Sequence, residues 1–330
     1  MNEGAMQRRV GQKNPVRGKP LYSFAESCRE WLSSYDAKMQ GLSSISFLFS
    51  LKTLARTLLQ PLRGPVTWCT QKGYLPKGAA AYLLWSWVLQ PFTIYGQGWK
   101  CCWFPTKFEN IGYRIFWTGL REWESETAPE ILRQIQKSKC FFDIGANCGI
   151  YSVIGSILNP DARIVAIEPV PKIFRALELN IAGNHLEARV KPLNFALGSQ
   201  NGVVPFHESE DSTMGSLSTS GYGCKSGTII QVECRTLDAL MKTLDLAPDT
   251  MKIDVEGFEH AVLEGAQHIL STHRPRIVIE ENPGEAGQFV SDLLQGHRYE
   301  FHNITDQGLV QHPKLFGVDA FRNWLCLPTA

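Results

Sequence analysis

The sequence predicts an α/β fold with a mostly parallel sheet, and three stretches of the chain carry this prediction. Residues 140–149, 163–168 and 251–259 each contain a short apolar run that reaches an acidic residue. Such runs are typical of strands buried on both faces, and the helical patterns between them indicate βαβ units and a parallel sheet. We therefore expect a row of acidic residues along the carboxyl ends of neighbouring strands.

The composition of the 330-residue chain limits its class. A hydrophobic content of 44% is sufficient for a full core, and the formal net charge of +1 gives no indication of a nucleic-acid partner. The nine cysteines include no Cys-x-x-Cys pair, which is typical of reduced thiols in a cytosol rather than of disulfides or a zinc site. We therefore expect a cytoplasmic protein without a nucleic-acid partner.

The chain divides into three regions. Residues 1–20 are interpreted as a disordered basic tail, residues 21–124 as a mainly helical, tryptophan-rich extension, and residues 125–330 as the α/β domain. Eight of the nine tryptophans precede residue 125. We interpret most of these rings as the core of a small cap. A lid that offers aromatic faces to a sugar or an apolar substrate is the alternative.

Two stretches of the extension have the composition of membrane-associated segments. Residues 22–62 combine a helical apolar pattern with basic residues, and residues 79–95 contain no charged residue. Gln90-Pro91 would break a helix in the second stretch and leave an apolar piece too short to cross about 30 Å of hydrocarbon. We therefore expect no transmembrane span. For the first stretch we favour a helix packed on the α/β domain, and peripheral membrane contact is the alternative.

The first of the three stretches predicts a strand, a tight turn and the start of a helix. Gly145 and Gly149 allow a sharp turn close to a ligand, and Asp143 places a carboxylate at the strand end. Glu168 ends the next strand, where an acid can accept both hydroxyls of a ribose. Asn147 occupies the place of the middle glycine in a dinucleotide-binding turn, and Asp143 points to the place of a pyrophosphate. Both features favour a cationic ligand without phosphate, which indicates S-adenosylmethionine.

Further strands complete the expected sheet. Residues 190–195 predict a third strand, and the backbone after it would lie beside an adenine. Residues 276–282 predict another strand that ends in acids, and residues 299–302 and 321–326 predict a final antiparallel pair. The loop at 209–227 is rich in serine and glycine, and we interpret it either as a mobile substrate gate or as a disordered insertion.

Four of these motifs together resemble those of the FkbM family of S-adenosylmethionine-dependent methyltransferases. They are Asp143-Ile144-Gly145-Ala146-Asn147-Cys148-Gly149, Ile167-Glu168-Pro169, Asn194-Phe195-Ala196-Leu197-Gly198 and Lys252-Ile253-Asp254-Val255-Glu256-Gly257-Phe258-Glu259. The resemblance extends over about residues 120–285, with a similar lead-in at residues 119–124, and the last motif is the most specific of the four.

The resemblance implies a class I methyltransferase fold, which is a Rossmann-like sheet of seven mostly parallel strands with the last strand antiparallel. It also implies methyl transfer to a hydroxyl oxygen. By position, Asp254 would lie near the sulfonium and the acceptor. The methionine part of the cofactor would contact Asp143, Gly145, Ala146, Asn147 and Gly149, the ribose would contact Glu168 beside Pro169, and the adenine would be bordered by Asn194 and Ala196.

Methyl transfer to an alcohol requires a base, because a neutral hydroxyl is a poor nucleophile. We expect Asp254 or Glu256 to take the proton, with His260 as a third candidate one helical turn beyond Glu256. Lys252 would neutralise these acids or orient the acceptor. The alternatives are that Asp254 contacts only the cofactor, Glu256 caps the following helix, His260 lies at the surface and Lys252 pairs with an acid within its strand.

The sequence leaves metal, acceptor and function class open to alternatives. Asp254, Glu256 and Glu280 are hard oxygen ligands that could gather Mg²⁺, although the spacing does not require a metal. Hydroxyls of a sugar, a glycolipid or a secondary metabolite all fit as the acceptor. The rival functions are a non-catalytic, membrane-associated binding or scaffold protein on the same fold and, more weakly, a dinucleotide oxidoreductase.

Overall fold

The computed structural model describes residues 90–121, 123–209, 227–281, 285–315 and 322–329. The basic tail, the amphipathic stretch at 22–62, most of the uncharged run at 79–95 and the loop between Ser209 and Gly227 lie outside the described residues. No helix in the described ranges has both the length and the apolar character needed to cross a membrane.

The strands and helices alternate along most of the described chain. The strands are β1 (Phe92–Tyr95), β2 (Lys100–Trp103), β3 (Cys140–Ile144), β4 (Arg163–Ile167), β5 (Val190–Leu193), β6 (Ala196–Leu197), β7 (Gly202–Ser209), β8 (Gly227–Arg235), β9 (Thr250–Ile253), β10 (Arg276–Glu280), β11 (Tyr299–Thr305), β12 (Gly308–His312) and β13 (Asn323–Pro328). The helices are α1 (Ile111–Thr118), α2 (Thr127–Gln136), α3 (Ile150–Leu158), α4 (Pro171–Gly183), α5 (Leu237–Met241), α6 (Glu259–Glu264), α7 (Gln267–Thr272) and α8 (Glu285–Gly296).

The central sheet has eight strands in the order β12-β11-β13-β10-β9-β3-β4-β5. Strands β10, β9, β3, β4 and β5 are parallel, and β13 lies antiparallel between β10 and β11. This is the expected class I methyltransferase sheet, with the last strand antiparallel. The sheet has eight strands and not the expected seven, because β12 folds back on β11 and adds an edge strand. Four of its five residues are exposed, so it lacks the apolar pattern by which the other strands were predicted.

The sheet is covered on both faces, because successive residues of its strands point in opposite directions. In β3, Phe141 packs in one apolar cluster with residues of α2, α3 and α4, and Phe142 packs in another with residues of α5, α6, α7 and α8. Every residue of β3 is buried. The register pairs Asp143 with Ala166 on one side and with Lys252 on the other, so the carboxyl ends of the three central strands coincide.

The described part of the N-terminal extension is an antiparallel hairpin of β1 and β2 followed by α1. Residues 92–95, at the end of the uncharged run, thus form a strand and not a helix. Trp103 and Trp123 are buried, as expected of core residues, but they join the apolar cluster of the α/β domain instead of forming a separate cap core. These two rings are therefore not the aromatic faces of a lid.

Candidate active site

The turn after β3 is held tightly between its neighbours. The amides of Gly145 and Ala146 both donate to the carbonyl of Ile167, at 3.0 and 2.9 Å. Gly145 has φ +77°, and a Cβ placed there would lie 1.8 Å from the carbonyl oxygen of Asp254. Only glycine fits this position, because both the backbone angle and the close approach of β9 exclude a side chain.

Asn147 takes the conformation that a glycine would otherwise supply. It lies in the left-handed region with φ +50°, which asparagine tolerates better than most residues. Its Oδ1 accepts a hydrogen bond from the amide of Cys148 at 2.8 Å. Gly149 follows with φ +89°, and a Cβ there would meet the side chain of Leu177 at 2.5 Å. The turn therefore keeps its shape although its middle position is not glycine.

Glu168 joins the glycine turn to the end of β4. Its side chain is buried, and Oε2 accepts from the amide of Asn147 at 3.0 Å while Oε1 accepts from the amide of Val170 at 2.9 Å. Burial raises the pKa of Glu168 to about 7, although the two amide hydrogen bonds oppose this shift. Each oxygen of a carboxylate has two lone pairs, so each retains one for a ligand.

Asn194 lies beside the same loop, because its Nδ2 donates to the carbonyls of Glu168 and Pro169 at 2.8 and 3.1 Å. Ala196 begins the short strand β6, which pairs with β8 in a separate three-stranded sheet. The methyl group of Ala196 is buried in a small apolar cluster. A ligand at this position would therefore meet the backbone of Ala196 and not its side chain.

Asp143 is almost fully buried at the end of β3. Its Oδ2 accepts from the hydroxyl of Ser152 at 2.6 Å. Its Oδ1 is also buried, and within the described residues no group donates to it. Burial raises the pKa of Asp143, and the nearby ammonium of Lys252 opposes this effect. A buried acceptor without a donor is costly, so this oxygen fits a cationic or hydrogen-bond-donating ligand beside the glycine turn.

Lys252 occupies the middle of the acidic row. It is 4% exposed, and its Nζ lies 2.8 Å from Oδ2 of Asp254 and 5.4 Å from the ring centroid of Tyr151. Burial alone would lower the pKa of Lys252. The surrounding carboxylates, first Asp254 and then Asp143 and Glu124, outweigh burial and raise it. Lys252 therefore remains an ammonium at neutral pH. It pairs with Asp254 directly after its own strand, close to the alternative in which Lys252 pairs with an acid within the strand.

Glu124 and Tyr151 belong to this site, although the sequence did not single them out for a role in it. The hydroxyl of Tyr151 donates to Oε2 of Glu124, and burial raises the pKa of Glu124 while Lys252 opposes the shift. In the sequence, Tyr151 lies among the apolar residues of the helix that follows Gly149. Its hydroxyl is the one feature of the sequence that could have indicated a role in the site, because a buried tyrosine hydroxyl usually has a polar partner.

Three carboxyl groups meet at the ends of β9 and β10. Oxygen atoms of Asp254, Glu256 and Glu280 lie within 4.8 Å of one another, so the structure brings together the three hard ligands noted in the sequence. Burial and the charge of Asp254 raise the pKa of Glu256 to about 9. The charge of Asp254, followed by burial, raises the pKa of Glu280 to about 10.

Asp254 behaves in the opposite way to its two neighbours. Burial acts to raise its pKa, but the ammonium of Lys252 outweighs burial and lowers it. At neutral pH Asp254 is therefore the ionised member of the group, and Glu256 and Glu280 are protonated.

The turn after β9 is stabilised by Glu259. Its Oε1 accepts from the amides of Val255 and Gly257, both at 3.1 Å. Glu259 thus fixes the turn that leads into α6, whose N-cap is Phe258. Glu256 itself has φ +55° and Gly257 has φ +95°, and this left-handed pair turns the chain sharply at the site.

His260 lies among aromatic rings. Its ring centroid is 5.5 Å from that of Phe258 and 6.2 Å from that of Phe289. It is not a member of the carboxyl group formed by Asp254, Glu256 and Glu280. The structure therefore brings together the predicted acids and Lys252 but places His260 in an aromatic environment.

Comparison with known proteins is consistent with this geometry. Residues 143–305 match the family model described as "Methyltransferase FkbM domain". The hexuronic acid methyltransferase AglP of Haloferax volcanii is 26% identical over 172 residues, which cover 52% of this chain and 67% of that protein. The methyltransferase sdnD of Sordaria araneosa is 38% identical over 63 residues, which cover 19% of this chain and 24% of that protein.

A solved structure, methyltransferase FkbM from Methylobacillus flagellatus KT, aligns with a TM-score of 0.38 and 20% identity. The alignment covers 58% of this chain and 43% of that chain. The alignment with the solved structure thus spans less than half of that structure. The alignment with the Sordaria protein spans about a quarter of that protein. The family model rests on the stretch that contains the glycine turn, Glu168 and the β9 acids. Residues 143–305, just under half of the chain, therefore form a domain that matches the FkbM methyltransferase family.

Proposed function

We propose that this chain is an S-adenosylmethionine-dependent O-methyltransferase whose acceptor is a hydroxyl of a sugar, a glycolipid or a secondary metabolite. The observation that carries the proposal is the buried Oδ1 of Asp143, which no described group satisfies, beside a turn that only glycine can form. The name of the Haloferax relative, a hexuronic acid methyltransferase, supports a carbohydrate acceptor.

The residues around the turn fit the proposed cofactor. Asp143 would accept from the amino group of its methionine part, the turn from Gly145 to Gly149 would pass close to it, Glu168 would accept from the ribose hydroxyls, and the exposed Asn194 would lie beside the adenine. When bound, S-adenosylmethionine supplies a methyl group made electrophilic by its sulfonium. The chain must then hold the acceptor in line and accept its proton.

Asp254 is the proposed proton acceptor. It is the ionised carboxylate of the group, because Lys252 stabilises its charge. A carboxylate with a low pKa is a weak base. It nevertheless suffices here, because the acceptor hydroxyl becomes strongly acidic as its oxygen forms the new bond. The proton then moves from that oxygen to the Asp254 carboxylate. Glu256 is the weaker candidate, since its pKa of about 9 keeps it protonated at neutral pH.

Lys252 is a positioning residue in this scheme. Its ammonium fixes one oxygen of Asp254, so the other oxygen faces the acceptor in a defined direction. The ring of Tyr151 also lies beside the ammonium, and its hydroxyl donates to Glu124. The network thus favours the ionised form of Asp254 in a partly buried setting that acts to raise the pKa of a carboxyl group.

The proposal is tested by calorimetric titration of the full chain with S-adenosylmethionine, followed by transfer of a labelled methyl group to hexuronic acids, neutral sugars and glycolipids. We expect binding and label in an ether linkage. Asp143→Asn should weaken binding by about 10-fold or more, because it removes a charged hydrogen bond. Asp161→Asn, an exposed aspartate before the amino end of β4, is the matched control.

Absence of a heat of binding for S-adenosylmethionine would contradict the proposal. Equal binding by wild type and Asp143→Asn would remove Asp143 from the cofactor site. Binding without transfer to any hydroxyl compound would favour the alternative of a non-catalytic binding protein on this fold.

A further inference from the structure

A second cavity lies at the same edge of the sheet as the candidate active site. It has a volume of about 420 Å³ and lies between the start of α2 and the hairpin of β11 and β12. This volume is within the range of pockets that hold small molecules. Its lining includes Ser125, Glu126, Arg133, Thr305, Asp306 and Leu309.

The topology places this cavity next to the catalytic crevice. β11 runs in the same direction as β10, because each is antiparallel to β13 between them. The turn after Thr305 is therefore at the carboxyl edge of the parallel strands, where Glu280 ends β10. On the α2 side, the cavity residue Ser125 follows Glu124 directly, and Glu124 accepts the hydrogen bond of Tyr151.

The cavity has a polar lining with apolar patches. Ser125 and Glu126 are exposed at its entrance, as is Asp306 on the hairpin. Leu309 is 41% exposed, and Ile304, its cross-strand partner, is buried. Carboxylates accept hydrogen bonds from hydroxyl groups, and apolar side chains cover the C–H faces of a sugar ring. This combination suits a carbohydrate better than an apolar ligand.

The charge of the lining also selects among ligands. The wall contains a buried carboxylate, Glu130, which is paired with Arg133 and accepts from Nε2 of Gln134 at 2.6 Å. Since Arg133 is already engaged by Glu130, the carboxylates of Glu126 and Asp306 remain uncompensated by any other basic residue of the lining. An anionic group, such as a phosphate or a uronate carboxylate, would be repelled here.

The distance between the two sites sets the size of a ligand that reaches both. From β9, which Asp254 directly follows, to β11 there are three steps in the sheet, through β10 and β13. Three inter-strand spacings amount to about 14 Å. A single monosaccharide is too short to span this distance.

The geometry points to a binding subsite for a neutral or amino-bearing oligosaccharide segment of the methyl acceptor, seated between α2 and the β11–β12 hairpin. The subsite rests on the proposed function, because it assigns the cavity to the part of the acceptor that is not methylated. It selects acceptors of more than one sugar, in which any acidic sugar lies at the reacting end and not in the cavity.

The test measures carbohydrate binding by the full chain without any methyl donor. A glycan array that runs from single sugars to hexasaccharides, with neutral, amino and acidic members, is probed with three proteins. They are wild type, the double variant Glu126→Gln with Asp306→Asn, and the exposed control Asp161→Asn. We expect binding of neutral or amino oligosaccharides, weakened by about 10-fold or more in the double variant through loss of charged hydrogen bonds.

Three outcomes would overturn the subsite. They are a lack of binding to every neutral or amino oligosaccharide, binding restricted to single sugars, and equal binding by wild type and the double variant.

A Leu309→Trp variant adds a second check, because its ring would fill the cavity from an exposed edge strand and should also reduce binding. Because the array contains no methyl donor, a negative result leaves binding of S-adenosylmethionine intact, and the two proposals fail separately.

Discussion

At the scale of single residues, Lys252 determines the charge state of the site. Its ammonium is buried among Asp143, Asp254 and Glu124, and its charge is the reason that the pKa of Asp254 is lowered although burial acts to raise it. A buried lysine would ordinarily lose its proton. Here the carboxylates and the ammonium stabilise one another, so the cluster has to be understood as one unit.

Replacement of Lys252 by methionine should therefore destabilise the fold. Lys252→Met keeps the length of the side chain but leaves buried carboxylates unpaired, which costs about 3–5 kcal/mol. The loss of stability should increase as the pH rises above the usual range of carboxyl pKa values, because ionisation of the unpaired acids is then favoured in the unfolded state and costly in the folded state. Urea denaturation at several pH values measures this effect. Lys242→Met, at an exposed position, is the control and should change stability little.

At the scale of elements, the turn between β3 and α3 depends on close contact with the end of β9. A Cβ added at Gly145 would overlap with the backbone of Asp254, which cannot move aside as a flexible side chain could. The strand ends can therefore not move apart without a loss of sheet pairing. This contact explains why the turn and the acids of β9 form one site although 109 residues of sequence separate Gly145 from Asp254.

Gly145→Ala should reduce the free energy of unfolding by about 2–4 kcal/mol, from the strained positive φ and the overlap with Asp254. Gly296→Ala is a matched control in α8, since a Cβ there meets nothing within 4 Å and its φ is not in the left-handed region. Urea denaturation of both variants measures the difference. Equal stability of the two would show that the turn relaxes freely.

The junction of β9 and β10 should make stability depend on pH. The pKa of Glu280 is raised to about 10 in the folded protein, so between its ordinary value and pH 10 the folded state binds more protons than the unfolded state. The contribution of Glu280 to the free energy of unfolding therefore falls as pH rises through that window. Glu280→Gln should flatten the alkaline decline. Thermal unfolding from pH 5 to pH 10 measures the slope, and an unchanged slope would contradict the assignment.

At the scale of the whole molecule, the N-terminal hairpin is hydrogen-bonded to the α/β domain through Asn180 of α4 and Asn184, the C-cap residue of that helix. Oδ1 of Asn180 accepts from the amide of Phe104 at 2.7 Å, and its Nδ2 donates to the carbonyl of Cys148 in the glycine turn at 2.9 Å. Asn184 pairs with the backbone of Cys102 in both directions. Asn180 thus connects the hairpin to the glycine turn.

Asn180→Ala should therefore weaken both stability and cofactor binding. It leaves a buried amide and a buried carbonyl without partners, at a cost of about 1–3 kcal/mol for each. Asn184→Ala removes the hairpin contacts and a hydrogen bond to the carbonyl of Asn180 but no contact with the glycine turn, so it should reduce stability while leaving affinity for S-adenosylmethionine close to that of wild type. Calorimetric titration of both folded variants makes the comparison. Equal affinity in the two would mean that Asn180 acts on the fold alone.

Sequence reasoning predicted the parts of the site that lie within single motifs. Asp143, the glycine turn, Glu168 and Asp254 each end a strand or begin a helix, and local patterns identify such positions. Glu124 and Tyr151 were missed as site residues, because their contact joins a lead-in segment to the buried face of a helix. The role of His260 was inferred from helical spacing, and the aromatic rings around it could not be derived from that spacing.

The sequence by itself determined the alternation of strands and helices, the turn that requires glycine and the row of acids, because apolar periodicity and backbone sterics act over short stretches. Only the tertiary structure decided which acid stays ionised. The charge of a carboxyl group depends on burial and on charges a few ångströms away, and these come from β3, β9, β10 and the segment before α2. The cavity beside the β11–β12 hairpin also depends on the tertiary structure, because it forms where the start of α2 lies against this hairpin at one edge of the sheet.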